Sequence, residues 1–301
     1  MNDSALPRVS VIIPHYRDLG GLRRCLDSLA GQTYPAALTE IIVADNASPE
    51  GEAAVAAVAG EQARVIVVTE RGAGPARNGG ARIAGGEVLA FIDSDCVAEP
   101  AWLSQGVAAL AGHDFVGGRV KVLVDDVARM TPVEAFERVF AFDFETYITR
   151  KGFTGSGNLF CPRTVFEKVG GFRATVSEDV EWSHRATGLG YRLGYAPGAI
   201  VGHPARKAWP ELVAKWRRTI GESYALVSEK RGGRAWWLLR TLALPASAVA
   251  HMPRVLASPE LQTAGQKAAA LATLFRIRFW RLTEALRVLG RDLAGGRRDG
   301  A

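Results

Sequence analysis

The chain has 301 residues, 48% of them hydrophobic and 23% charged, a composition typical of a globular protein with room for one large domain or one and a half. The net charge of +6 is unevenly distributed: residues 1–204 carry 19 Lys and Arg against 24 Asp and Glu (net −5), and residues 205–301 carry 18 against 7 (net +11). The three cysteines are far apart and form no Cys-x-x-Cys pair, which excludes a disulfide framework and the usual zinc and redox motifs.

Strand and helix patterns alternate through the first hundred residues. The sequence predicts strands at 9–13 (ended by Pro14), 40–45 and 65–69, helices at 21–29 and 52–59, and a buried strand at 88–92. In the first helix, four apolar residues share one face: Leu22, Cys25, Leu26 and Leu29. This alternation predicts βαβ units and a parallel sheet.

Two carboxylates follow the strand at 88–92, with Asp93 and Asp95 separated only by Ser94. Ligands of open α/β sheets bind at the carboxyl ends of strands. Two acids this close suit a divalent cation that holds a phosphate group. The alternative is a turn or helix start, where Asp and Ser are common in any case.

The middle of the chain predicts further elements and one unusual loop. The pattern indicates a helix at 101–110, a strand at 115–124 interrupted by Gly117 and Gly118, a helix at 132–142, a helix at 178–187 capped by Ser177, and strands at 191–196 and 199–201. Residues 153–160 are too rich in glycine for a packed helix and predict a loop with a short strand, in which backbone approaches another group closely.

The last hundred residues differ in composition. Residues 209–227 predict an amphipathic helix, and 235–250 are apolar but interrupted by Arg240 and Pro245 and shorter than a membrane span needs. With the tryptophans and arginines nearby, the final apolar positions predict a helix lying in an anionic membrane surface. A helix packed on the rest of the protein, with its arginines in water, is the alternative. These final positions are Phe275, Phe279, Leu282, Leu286, Leu289 and Leu293.

Seven segments, taken in order, resemble the inverting family 2 glycosyltransferases, which are nucleotide-sugar enzymes of the GT-A fold. The resemblance implies an α/β, Rossmann-like fold with a mostly parallel central sheet flanked by helices. It implies a nucleotide-sugar-binding catalytic domain over 1–205, and it leaves 206–301 as a basic, amphipathic, helical extension. The matching segments are 9–17, 40–49, 71–80, 88–95, 155–171, 178–182 and 199–203.

The resemblance places the nucleotide base at the end of the first strand, beside Pro14, His15 and Tyr16, with Asp45 accepting hydrogen bonds from it. Asp45 could instead cap the turn that follows, through Asn46 and Ser48.

The glycine-rich stretch at 71–80 is not a dinucleotide fingerprint, because it follows the third strand and Arg77 replaces the last glycine. It implies nucleotide or phosphate contacts by Arg71, Arg77 and Asn78. One of the arginines could instead pair only with the acids of the site.

The resemblance implies that Asp93 touches the ribose side and that Asp95 holds Mg²⁺ or Mn²⁺ on the diphosphate, so both acids belong to the predicted metal set. His203 matches a position that can add a metal or phosphate contact, although a lone histidine can also be structural.

On the acceptor side, Glu178 and Asp179 match the Glu-Asp motif of the family, which implies that Asp179 is the general base. Acids in a first helical turn are also favoured by the helix dipole alone. Trp182 is predicted either to stack on an acceptor sugar or to belong to the core, and Asn158 is assigned to the acceptor side.

The predicted activity is therefore metal-assisted transfer of a sugar from a nucleoside diphosphate sugar, with UDP the commonest nucleotide of the family. The acceptor is the hydroxyl of a glycan, lipid or other molecule. A catalytically silent nucleotide-sugar-binding module recruited to a membrane is the alternative. Nucleic acid is not a predicted partner, because the aromatic residues of the basic region lie in apolar stripes.

The predicted location is the cytoplasm, with peripheral attachment to the inner face of the cell membrane as the role of the basic region. Residues 1–7 lack a basic patch followed by an apolar core, so no signal peptide is expected. Unpaired cysteines are typical of a reducing compartment.

Overall fold

The computed structural model describes residues 6–295 and divides into two compact units. The first, here called the sheet unit, contains Met1–Lys121, Phe142–Ala174 and Glu178–Pro204, and the second, the helical unit, contains Val122–Ala141, Thr175–Ser177 and Ala205–Ala301. The helical unit thus includes an internal segment that the sequence assigned to the catalytic domain. A functional boundary near residue 205 remains a proposal.

The strands form one mixed sheet. They are β1 (Val9–His15), β2 (Thr39–Asp45), β3 (Arg64–Val67), β4 (Val88–Ile92), β5 (Val97–Ala98), β6 (Phe115–Leu123), β7 (Asn158–Pro162) and β8 (Leu193–Pro204). Their order is β3-β2-β1-β4-β7-β6-β8-β5. The four neighbouring strands β3, β2, β1 and β4 pair in parallel, as predicted. Strand β7 pairs antiparallel with both β4 and β6.

The helices of the described chain flank this sheet or build the helical unit. They are α1 (Leu19–Ala30), α2 (Glu52–Ala59), α3 (Ala73–Ile83), α4 (Trp102–Ala109), α5 (Pro132–Phe140), α6 (Phe144–Lys151), α7 (Arg163–Val169), α8 (Glu178–Gly188), α9 (Trp209–Ser228), α10 (Gly233–Leu242), α11 (Leu244–Ala250), α12 (Met252–Leu256) and α13 (Ala264–Gly295). Short 3₁₀ turns occur at Ala36–Leu38, Leu110–Gly112 and Val127–Arg129.

Both faces of the sheet are buried. Side chains alternate across a strand, so Val11 and Ile13 of β1 join one core with α1, while Ile12 joins the opposite core with Phe91 and Trp182. Strands covered on both sides need apolar residues at every position. This explains why β4 is a continuous apolar run that ends at the carboxylates.

Three predicted strand limits are wrong. Pro14 lies inside β1, because pairing with β4 ends at Ile12 and the missing N–H of Pro14 falls beyond that ladder. β6 continues through Gly117 and Gly118, where a side chain on Gly117 would collide with Thr154. β8 is a single strand that includes His203 instead of two strands ending before it.

The helical unit has its own core, in which Val133 and Phe136 of α5 pack with Leu212 of α9 and with Leu274 and Ile277 of α13. The predicted stripe on α13 only partly faces this core: Phe275 packs against it, but Phe279, Leu286 and Leu293 are exposed. The side of α13 that faces the core includes Arg281 and Glu284, charges that an apolar pattern would not place there. None of the helices within residues 6–295 is long and apolar enough to cross a membrane.

Candidate active site

Three residues from the predicted metal set converge at the end of β4. Asp93, Asp95 and His203, together with Cys96, each offer a ligand atom within 4.8 Å of the others. Antiparallel pairing of β5 with β8, in which Val97 lies opposite Gly202, brings His203 beside the acids. The turn that follows β4 and the distant strand β8 thus contribute side chains to one cluster.

The imidazole of His203 is oriented by the backbone. Nδ1 lies 2.8 Å from the carbonyl oxygen of Pro204, which can only accept, so Nδ1 carries the proton. Nε2 is then the acceptor nitrogen in the neutral ring, and it lies 3.4 Å from Oδ2 of Asp95. The ring also packs on Phe142, with centroids 4.4 Å apart. This is the arrangement in which a histidine ligates a metal.

The donor set fits Mg²⁺ or Mn²⁺ better than a softer ion. Cys96 was not predicted as part of the cluster, and burial and the nearby Asp93 and Asp95 raise the pKa of its thiol well above the ordinary value. A protonated thiol is a poor ligand for hard cations, which prefer carboxylate oxygen and accept imidazole. The two aspartates and His203 are therefore the residues suited to hold the ion.

A buried arginine joins this cluster to the predicted acceptor motif. The guanidinium of Arg77 donates to Oδ1 of Asp93 at 2.5 Å and to Oε1 of Glu178 at 3.1 Å. Burial alone would lower the pKa of Arg77, but Asp93 and Glu178 outweigh it and raise that pKa. The alternative in which one arginine pairs with the acids of the site is the arrangement found for Arg77.

The acceptor motif lies at the start of α8. Asp179 accepts a hydrogen bond from the backbone N–H of Val180 at 2.8 Å. Burial, and then repulsion from Glu178, raise the pKa of Asp179 to about 6 from an ordinary 3.8. A carboxyl with such a pKa is ionised at pH 7.5 yet basic enough to take a proton, which is the property that a general base needs.

The glycine-rich segment gives Asp93 its space. A Cβ on Gly157 would lie 2.3 Å from Oδ2 of Asp93, so only glycine permits this approach. Gly155 is similarly close to the ring of Phe144. The close approach that the sequence predicts for residues 153–160 is thus to the first acid of the metal cluster and to a core ring.

At the end of β1, Tyr16 and Asp45 differ in accessibility. Tyr16 is 48% exposed, whereas Asp45 is 1% exposed and accepts hydrogen bonds from Nδ1 of His15 (2.8 Å), from the N–H of Ser48 (2.9 Å) and from the hydroxyl of Ser48 (2.5 Å). These contacts favour the turn-capping alternative for Asp45. The capping runs through Ser48 alone, while Asn46 instead binds the backbone of Val68 and Gly72.

Three residues with predicted ligand contacts make internal hydrogen bonds in the structure, which for Trp182 is the core alternative. Asn78 exchanges two hydrogen bonds of 2.8 Å with the backbone of Phe172. Asn158 is fully buried, accepts from Trp102 and donates to two carbonyl oxygens. Trp182 is also fully buried and donates to the carbonyl of Gly170 at 2.8 Å.

Of the other nucleotide-side predictions, Arg71 is exposed just before α3 and remains accessible to a phosphate, whereas Pro14 is buried within β1. His15, which the resemblance also places beside the nucleotide base, is buried with Asp45, and its Nε2 has no hydrogen-bond partner among the described residues.

The chain is similar to known proteins in sequence and in fold. The family model for glycosyl transferase family 2 matches residues 10–176. Glycosyltransferase AglE from Haloferax volcanii is 35% identical over 220 residues, which cover 70% of this chain and 71% of AglE. Probable glycosyltransferase YdaM from Bacillus subtilis is 27% identical over 246 residues, covering 75% of this chain and 58% of that protein.

Among solved structures, the mannosyltransferase PcManGT from Pyrobaculum calidifontis, in complex with GDP-Man and Mn²⁺, is similar with a TM-score of 0.51. The match covers 97% of this chain and 76% of that one at 23% sequence identity, so the likeness concerns the fold. It agrees with the GT-A fold that the sequence resemblance implies.

Proposed function

The chain belongs to glycosyltransferase family 2, and on that premise we propose that it transfers a sugar from a nucleoside diphosphate sugar to an acceptor hydroxyl with inversion at the anomeric carbon. The observation that carries this proposal is the guanidinium of Arg77, which contacts both Asp93 and Glu178. A single displacement needs donor-binding and proton-accepting groups in one site. The shared arginine supports such a site.

On the donor side, Asp95, Asp93 and His203 are the residues that would hold Mg²⁺ or Mn²⁺. When bound, the ion neutralises the diphosphate and stabilises the charge that develops on it as it leaves. Tyr16 and Arg71 are accessible for the base and for a phosphate, respectively. Asp93 is held in place by Arg77, and the lack of a side chain at Gly157 leaves room for its carboxylate.

On the acceptor side, Asp179 takes the proton of the attacking hydroxyl, and the oxygen then bonds to the anomeric carbon from the face opposite the diphosphate. Glu178 acts on Asp179 by raising its pKa, and Arg77 fixes Glu178. Arg77 is a positioning residue in this scheme, because it touches the acids of both sides.

The finer identities are also proposals. UDP is the first donor nucleotide to test, because it is the commonest in the family, and GDP is the second, because the similar mannosyltransferase was solved with GDP-Man. We propose a glycan or lipid-linked acceptor, and action at the inner face of the cell membrane through the basic C-terminal region.

Labelled UDP- and GDP-sugars, incubated with the full chain, Mn²⁺ and membrane or glycan extracts, test the proposal. The expected result is a labelled product that forms with the native chain and requires the ion. Donor binding without any transfer or hydrolysis would contradict it. A thermal-shift panel of the nucleotides, with and without Mn²⁺, identifies the donor, since a ligand of the native state raises the melting temperature.

A further inference from the structure

The helical unit exposes an unusual amount of apolar surface. Fourteen large hydrophobic side chains are exposed among the described residues, and nine of them lie between residues 236 and 293. Single exposed hydrophobic residues are common, but contiguous ones mark a surface that contacts something else. The nine are Trp236, Leu238, Leu239, Leu242, Val249, Leu256, Phe279, Leu286 and Leu293.

Helix α10 is apolar around most of its circumference but buried along one narrow stripe. Gly233, Trp237 and Thr241 face inward at intervals of four. The opposite side carries Trp236, which is 52% exposed, and Leu239, which is 69% exposed. A helix that is hydrophobic all round is normally buried all round, so the outer side of α10 has the composition of a buried surface while it faces outward.

The final helix contacts α10 and carries three of the nine exposed residues. The indole N–H of Trp237 donates to the carbonyl oxygen of Ala285 at 3.2 Å, which joins α10 to α13. On α13 the exposed residues Phe279, Leu286 and Leu293 recur every seven positions, and residues seven apart lie on one side of a helix. Half of the stripe that the sequence singled out thus lies on the outward side of α13, while Phe275 packs against one core and Leu289 is buried in another.

Two arginines, Arg240 of α10 and Arg278 of α13, lie close enough for their charges to interact. Arg240 lies over the rings of Trp236 and Trp237, at 5.3 and 5.9 Å from their centroids. Burial lowers the pKa of Arg240, and burial together with the charge of Arg240 lowers that of Arg278. Within residues 6–295, no carboxylate forms an ion pair with either guanidinium, so both remain available to an anion.

The acids of the region are already neutralised. Residues 230–295 carry 11 Lys and Arg against 3 Asp and Glu, a net charge of +8. Each of the three acids pairs with an arginine: Glu260 with Arg138, Glu284 with Arg217 and Arg287, and Asp292 with Arg234. This excess of positive charge opposes contact with a second copy of the same face and favours an anionic partner.

We propose that helices α10–α13 lie on an anionic lipid bilayer, with Trp236, Leu239 and Phe279 in the membrane interface and Arg240 and Arg278 on lipid phosphates. Tryptophan and leucine on one side of a helix, with arginines beside them, suit the boundary between headgroups and acyl chains. One guanidinium group can donate two parallel hydrogen bonds to the oxygens of one phosphate. The proposal names the face and the contacts of the membrane partner, and it does not depend on sugar transfer.

Vesicle flotation with the full chain tests this surface. The protein is mixed at 0.1 M salt with vesicles of phosphatidylcholine alone, or of phosphatidylcholine containing about one third phosphatidylglycerol. We expect flotation with the anionic vesicles and much less with the neutral ones, because each arginine near an anionic surface contributes to binding. Protein that floats with neither kind of vesicle overturns the proposal.

Variants separate this face from the rest of the molecule. Replacing both arginines (R240Q and R278Q) should weaken affinity for anionic vesicles roughly thirtyfold. The pair L239S and F279S should weaken it at least tenfold. The matched controls, R24Q and L189S, change exposed residues of the sheet unit and should bind like the native chain.

Two further measurements distinguish a membrane from a second copy of the chain as the partner of this face. Lipids brominated in the acyl chain should quench part of the tryptophan fluorescence of the native chain, and W236F should reduce that quenching. Vesicle affinity that is equal in all variants overturns the proposal. It is also overturned if, without lipid, the native chain sediments as a dimer that L239S and F279S dissociate, because the face would then be an interface between copies.

Discussion

Replacing Asp179 by asparagine should strongly reduce sugar transfer and make the protein more stable. Asparagine keeps an oxygen that can accept from Val180 N–H but cannot take a proton, so turnover should fall about 10²- to 10⁴-fold. The native pKa of about 6, against an ordinary 3.8, means that the folded protein binds this proton more tightly than the unfolded chain. The carboxyl therefore favours folding below about pH 4, and this contribution disappears as the pH rises through about 6.

The size of the effect follows from the shift. About two pKa units correspond to about 3 kcal/mol, and partial solvent contact of the side chain reduces this to about 2 kcal/mol. Asp179→Asn removes the buried charge, so at pH 8 it should raise the melting temperature by roughly 5 °C. At pH 4 the native and variant proteins should melt together.

The assay is thermal unfolding of both proteins from pH 4 to pH 8, beside a transfer assay and a nucleotide titration. Asp27→Asn, at an exposed acid of α1, is the matched control and should change neither property. The native kcat/KM should fall as the pH drops below about 6, since the base becomes protonated. A stability difference that does not depend on pH, or turnover retained by Asp179→Asn, would refute the assignment.

Three further changes test the site. His203→Ala should weaken Mn²⁺ binding at least tenfold, as measured by Mn²⁺ electron paramagnetic resonance, while Cys96→Ser should bind as the native chain does; equal affinities in all three would remove His203 from the ligand set. In Arg77→Lys, a single ammonium group replaces the planar guanidinium and cannot bind both carboxylates. The free energy of unfolding in urea should therefore fall by about 3 kcal/mol, and an unchanged value would show that the ion pairs of Arg77 with Asp93 and Glu178 contribute little. Gly157→Ala places a Cβ 2.3 Å from Oδ2 of Asp93, whereas a Cβ on Gly112 meets nothing within 4 Å; the first should weaken Mn²⁺ and nucleotide binding, and equal binding by both would contradict the close approach.

The sheet and the acidic cluster at its strand ends were predictable because burial and ligand chemistry dictate the residue types there. β4 reads as a strand because both of its faces are buried, and its acids fall at the sheet edge where parallel strands place ligands. The meeting of Asp95 with His203 depended on family resemblance, because the pairing of β5 with β8 joins positions about a hundred residues apart. No pattern of neighbouring residues predicts which residue of β8 lies opposite which residue of β5.

Some residue types suit two roles, and the sequence does not separate them. Asn78, Asn158 and Trp182 have side chains that suit either a ligand or an internal hydrogen bond, and each makes internal hydrogen bonds in the fold. On α13 two stripes compete. The core selects the one containing Arg281 and Glu284, because those charges find partners inside the helical unit. Sequence periodicity ranks stripes by apolarity alone, so it chose the more apolar one, half of which is exposed.

The central claim is that Asp95 and His203 hold the ion on a diphosphate beside the acids fixed by Arg77. Anomalous X-ray diffraction from crystals grown with Mn²⁺ and a nucleoside diphosphate tests it most directly. We expect one strong manganese peak within coordination distance of an oxygen of Asp95 and of Nε2 of His203, with the β-phosphate as a further ligand. A peak bound elsewhere, with the nucleotide away from the end of β4, would contradict the account.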